Sequence, residues 1–94
     1  MPAISKKKRD KISEQILYYL FTISPETAFT NKIADAIARD EEFTKSILQE
    51  LKLKNLILEV KMNPKGTQYQ RRQRWRLTDE TFLAYSNHQK QQSI

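Results

Sequence analysis

At Asn55 the spacing of apolar residues changes from helical to alternating, and this change constrains the fold more than any other feature of the chain. Before it, apolar side chains recur at the period of a helix with one buried face. After it, Leu56, Leu58, Val60 and Met62 alternate with Ile57, Glu59 and Lys61, the period of a strand. Asn63-Pro64-Lys65-Gly66 then has the residue order of a type I turn: Asn first, Pro second, Gly fourth. A second strand is predicted from about Tyr69 to Leu77, where Gln73, Trp75 and Leu77 alternate with Arg72, Arg74 and Arg76. One face of that strand packs, with Trp75 inside, and the other carries a row of guanidinium groups. The 94 residues make one domain of helices followed by a hairpin and a closing helix.

The helical part divides into three. Ile12, Ile16, Leu17, Leu20 and Ile23 mark a first helix from about Arg9. Ser24-Pro25 ends it, because a residue before proline avoids the α region. Glu26 to Phe29 is a short connection in which Phe29 suits a stub of strand. Thr30 offers an N-cap to a second helix that turns Ile33, Ala34 and Ile37 inward. A third helix is expected to bury Phe43, Ile47, Leu48 and Leu51, and Asn55 suits the left-handed residue that closes it. After the hairpin, Thr78 caps a last helix with Asp79 and Glu80 in its first turn and Phe82, Leu83 and Tyr85 on its apolar side. Residues 1–8 read as a flexible basic arm, 9–86 as the domain and 87–94 as a polar, Gln-rich tail.

Charge is polarised along this scheme. Seventeen Lys and Arg against eleven Asp and Glu give a formal charge of +6, which favours a polyanionic partner. Lys61, Lys65, Arg71, Arg72, Arg74 and Arg76 lie between Val60 and Thr78 with no acid among them, and Lys6, Lys7, Lys8, Arg9 and Lys11 form a second cluster. Alternating arginines on an exposed edge strand also deter edge-to-edge pairing. Tyr69, close to the turn, can pack or stack on a base.

Several functions are excluded. With no cysteine, one histidine (His88) and one glycine (Gly66), there is no nucleophile–base set, no thiolate metal site and no phosphate-cradling loop, so no enzyme and no cofactor is expected. Asp40, Glu41 and Glu42 are consecutive at a helix start and do not converge on a cation. The longest apolar stretch, Ile16 to Ile23, is too short to span a bilayer, and the basic N-terminus is followed by no signal-peptide core. A cytoplasmic protein without a membrane partner is expected.

The segments Ile33-Ala34-Asp35-Ala36-Ile37-Ala38, Arg39 to Glu42, and Phe43 through Ile57 have the layout of a helix-turn-helix. Over about residues 10–86 the chain resembles the winged helix-turn-helix DNA-binding family of small bacterial and archaeal transcriptional regulators. Asn55-Leu56-Ile57 stands where that family has Gly-Leu-Ile or Gly-Leu-Val. Trp75-Arg76-Leu77-Thr78-Asp79-Glu80 looks like its Tyr-x-Leu-Thr-x-x exit from the wing. The resemblance implies an α+β, mainly helical fold: a three-helix core, a two-stranded β-hairpin wing and a C-terminal helix. It implies a regulator that binds double-stranded DNA, with the third helix in the major groove and the wing on the phosphate backbone or in the minor groove.

On that reading Thr44, Lys45, Ser46, Gln49 and Lys52 face the bases, with Gln49 suited to adenine and the lysines to guanine or phosphate. Lys61, Lys65, Arg71, Arg72, Arg74 and Arg76 supply the wing contacts, and Lys6, Lys7, Lys8 and Arg9 those of the arm. The acids at positions 40–42 depart from the family pattern and would repel phosphates near the point of insertion. They favour a second reading, a winged-helix adaptor in a protein or ribonucleoprotein assembly; structured RNA is an alternative partner between the two readings, since an arginine row tracks any backbone. Homodimerisation through residues 12–23 and 82–85 is also implied.

Overall fold

The computed structural model describes residues 5–61 and 73–92, with side chains described through residue 88. Helix α1 (Lys6–Ile23) starts directly after Ser5, whose Oγ accepts a hydrogen bond from the Lys8 N–H at 3.3 Å. That cap satisfies one of the orphan donors of the first turn. It brings Lys6, Lys7 and Lys8 into the helix, so the basic segment expected as a flexible arm is helical from Lys6. Ile12, Ile16, Leu17 and Leu20 form the buried stripe of α1, and the helix stops where the Ser24 hydroxyl donates to the Leu20 carbonyl at 2.7 Å.

Strand β1 (Ala28–Phe29) runs directly into helix α2 (Thr30–Ile37). Phe29 has extended backbone at this junction and supplies no side-chain cap. Thr30 is therefore the first helical residue and not the expected N-cap. Its hydroxyl serves the core instead: Thr30 Oγ1 accepts from the Trp75 indole N–H at 2.9 Å. Helix α2 ends at Ala38, whose φ of 56° and ψ of 46° lie in the left-handed region. The Arg39 N–H then donates to the Ala34 carbonyl at 3.0 Å, closing the tight turn into helix α3 (Glu41–Leu53).

Helix α3 buries Thr44, Ile47, Leu48 and Leu51, while Phe43 is only half-buried. The packed face is thus rotated from the expected stripe, with Thr44 in place of Phe43. A threonine is tolerated there because its Oγ1 donates to the Asp40 carbonyl one turn back, at 2.8 Å. Asn55, with φ of 61°, takes the left-handed position expected of it and turns the chain into the sheet.

The sheet has the order β1-β3-β2, all antiparallel, with β2 (Ile57–Val60) and β3 (Arg74–Leu77) in register from Ile57↔Leu77 to Val60↔Arg74. Ala28 and Phe29 of β1 pair with Trp75 and Arg74 on the other side, so the arginine strand is the central strand and not an edge. Protection of an edge therefore does not explain its arginines. Ile57, Trp75 and Leu77 point into the core at 1%, 0% and 2% exposure, whereas Leu58 and Val60 are half-buried across from Arg76 and Arg74. The core face of β2 thus belongs to the set holding Ile57 and Glu59, and the more apolar alternation lies outside. The expected turn at 63–66 and the strand residues 69–72 lie outside the described residues.

Thr78 begins helix α4 (Asp79–Gln92) by accepting from the Thr81 N–H at 3.3 Å and donating to the Asn55 carbonyl at 3.1 Å. One hydroxyl thereby joins the start of α4 to the end of α3. The helix continues to Gln92, through most of the expected tail. It returns to α1 through Phe21, whose ring lies 5.4 Å from Phe82 and 5.6 Å from Tyr85. Burial in this cluster, and secondarily the Glu14 carboxylate, push the Tyr85 hydroxyl above its ordinary pKa of 10.

Two stability measurements follow from these contacts. Thr30→Val keeps the shape of the side chain and strands the buried indole N–H, so urea denaturation followed by Trp75 fluorescence should show a loss of about 1–3 kcal/mol. An unchanged midpoint would mean that the Trp75–Thr30 bond does not stabilise the fold. Ala38→Gly relieves a left-handed alanine and is expected to stabilise by about 0.5–1 kcal/mol in the same assay; destabilisation would contradict the assigned backbone.

Candidate nucleic-acid interface

Because α3 turns Thr44, Ile47, Leu48 and Leu51 inward, its opposite side carries Glu42, Lys45, Ser46, Gln49 and Leu53. Glu42, Lys45 and Ser46 are exposed, Gln49 is half-buried, and Leu53 is 84% exposed. Of the residues expected on this face, Lys45, Ser46 and Gln49 are outward. Thr44 is not: it is wholly buried and its hydroxyl is engaged within the helix. Lys52 stands on the flank, half-buried, with its Nζ 3.4 Å from Glu59 Oε1. Glu42, read from the sequence only as a repulsive acid near the point of insertion, and Leu53, which that reading passed over, also belong to the row. The signal was the threonine in an apolar register; counting Thr44 as inward rotates the face by one position.

The other flank of α3 is tied to α1. The Arg9 guanidinium lies 2.7 Å from Glu50 Oε2 and 5.9 Å from the centroid of the Phe43 ring. Of the basic residues assigned to the arm, Arg9 is thus engaged by the third helix, whereas Lys6, Lys7 and Lys8 are exposed in the first turn of α1. Cations at a helix N-terminus oppose the helix dipole, at a cost of about 0.3–1 kcal/mol each. Helix α3 has the opposite and favourable arrangement, with Glu41 and Glu42 in its first turn and Lys52 in its last. The lysines of α1 therefore do not serve the stability of their own helix.

On the outer face of the sheet, the Arg74 guanidinium stacks 4.2 Å over the centroid of Phe29, its cross-strand neighbour. Arg76 lies 3.4 Å from Asp79 Oδ1 and donates to the Leu77 carbonyl at 3.1 Å. An acid close in sequence therefore does meet one of the wing arginines. Asp79 is 90% exposed, and an ion pair of this kind contributes less than about 1 kcal/mol, so a phosphate oxygen can replace it. Lys61 is exposed at the end of β2, while Lys65, Arg71, Arg72 and Tyr69 lie outside the described residues. Among the described residues, no three His, Asp or Glu side chains are grouped to hold a metal ion, and no helix is long and apolar enough to cross a membrane.

Helix, strand, two helices, a hairpin whose second strand pairs with the first strand, and a closing helix also occur in solved structures. Over 93% of its length the chain superimposes on Staphylococcus aureus MepR in its DNA complex, with a TM-score of 0.67 and 22% identity, covering 72% of that chain. This is a winged helix-turn-helix fold. A MepR mutant bound to an oligodeoxyribonucleotide is 25% identical, with a TM-score of 0.57 over 93% of this chain and 71% of that one. A mutant of Lactococcus lactis ZitR reaches a TM-score of 0.66 at 19% identity, over 96% of this chain and 57% of that one. MepR is a transcription regulator of the S. aureus multidrug efflux pump MepA. No protein-family model and no curated protein sequence matches the chain. The domain thus agrees in architecture with the expected three-helix core, wing and C-terminal helix, and the expected strand stub at Phe29 is β1, paired with β3 as the third strand of the sheet.

Proposed function

We propose that this chain is a transcription regulator that binds double-stranded DNA, with α3 in the major groove and the hairpin along the phosphate backbone. What supports the reading above all is the solvent-facing row on α3 in a fold shared with MepR, a regulator solved on DNA. Lys45, Ser46 and Gln49 present donors and acceptors from that row. Lys61, Lys65, Arg71 and Arg72 extend the grip through the wing, and Arg76 joins them by exchanging Asp79 for a phosphate. Lys6, Lys7 and Lys8 sit at the positive end of α1, where a phosphate offsets an arrangement that is unfavourable in its absence. Arg9 holds α3 in place and Arg74 braces the sheet, so neither is the main phosphate ligand.

Phe82 and Leu83 on α4 and Tyr18 on α1 are large apolar side chains left exposed, at 38%, 59% and 54%. A homodimer formed through α4 covers the first two. The apolar stripe of residues 12–23 is consumed by the core of its own chain, so Tyr18 is what α1 contributes to such a contact.

Three or more phosphate contacts make the logarithm of the binding constant fall against the logarithm of salt concentration with a slope of about −3 or steeper. A titration on random-sequence duplex DNA, with a structured RNA hairpin as control, tests this: a flat response, or tighter binding to the hairpin, would defeat the DNA reading. Sedimentation of the purified chain should give a dimer that Leu83→Asp converts to monomer. A monomeric wild-type chain would remove the dimer proposal and leave the first untouched.

A further inference from the structure

The outward row of α3 runs Glu42, Ser46, Gln49 and Leu53, and it joins a carboxylate, a carboxamide and an apolar tip on one line. Resting on the DNA-binding reading above, we propose that this row is an ordered reading head, in which Glu42 selects cytosine and Leu53 selects thymine on either side of a Gln49–adenine contact.

Glu42 lies in the first turn of α3, the end of a docked recognition helix that comes nearest the base edges. It is exposed, and among the described residues no ion pair engages it. An ionised carboxylate is an acceptor only. In the major groove guanine offers two acceptors and thymine O4 a third, all of which repel it. Adenine sets its N7 acceptor beside the N6 amino group, whereas the cytosine N4 amino group is a donor with no acceptor on the same edge. A carboxylate pressed into the groove therefore chooses cytosine chiefly by rejecting the others. The same charge weakens attraction to phosphate everywhere along the duplex, so it lowers affinity while sharpening choice.

The positions fix a spacing. Glu42 and Gln49 are two helical turns apart, about 10 Å along the axis, or about three base pairs. Leu53 lies about one turn beyond Gln49, roughly two base pairs further on. At 84% exposure its side chain is available to the thymine methyl, the one apolar group on the floor of the groove. Lys45 and Ser46 flank the row.

The test is selection of duplexes from a random pool by the full chain, in parallel with Glu42→Gln and Leu53→Ala. Both side chains are exposed, and thermal melting of each variant confirms that it folds. Wild type should enrich an adenine with a cytosine about three base pairs to one side and a thymine one or two to the other. Glu42→Gln should keep the adenine, lose cytosine preference by about tenfold, and bind random duplex more tightly than wild type. Leu53→Ala should relax only the thymine. Retention of cytosine by Glu42→Gln overturns the proposal, as does a wild-type chain that binds duplexes without enriching any base; both leave DNA binding intact. Failure to bind any duplex removes both.

Discussion

The structure turns on Trp75. It stands in the middle strand of the sheet, its indole is fully buried, and its one polar atom reaches across to Thr30 at the first turn of α2. A buried indole N–H without an acceptor is costly. The bond therefore fixes how α2 sits on the sheet, and α2 with its left-handed exit at Ala38 fixes where α3 begins. Because Trp75 is also paired with Ala28 and Glu59 on its two sides, the wing and the strand stub are held to the same point. The face presented by the third helix is, in this sense, set from the core outward.

The same strand shows how charge and packing share a short sequence. Its inward side chains are Trp75 and Leu77, and its outward ones are Arg74 and Arg76, each with a role inside the protein: one stacked on Phe29, one beside Asp79. Similarly, Arg9 leaves the lysine cluster at the N-terminus to meet Glu50 and Phe43. Among the described residues, Arg9, Lys52, Arg74 and Arg76 are braces that touch acids or rings, whereas Lys6, Lys7, Lys8 and Lys45 stand exposed on their helices. Net charge alone does not separate the two kinds; contacts do.

Much of the architecture is legible in the sequence. The switch of period at Asn55, the stop at Ser24-Pro25, the burial of Trp75 and the cap at Thr78 each follow from local chemistry that tertiary structure leaves intact. Two of the misreadings share a cause: a polar side chain satisfied by a partner that pattern alone does not show. Thr44 looks like a surface residue until its bond to the Asp40 carbonyl is known, and Thr30 looks like a cap until Trp75 claims it. The start of α1 was missed because Ser5 caps a run of lysines that carries no apolar period. The position of β3 between two partners depends on pairing with residues 28 and 29, a contact far apart in sequence that no local pattern encodes.

Helix α3 is bounded at both ends by residues in the left-handed region, Ala38 before the turn and Asn55 after the last helical residues, and neither is glycine. Such positions are hard stops: sliding the helix by a residue in either direction places a different, less tolerant side chain at φ above zero. The helix therefore behaves as a gauge of fixed length clamped at its two ends. It has no slack with which to follow a target whose contact points are closer together or farther apart. Any tolerance for variable spacing along a binding partner has to come from outside α3.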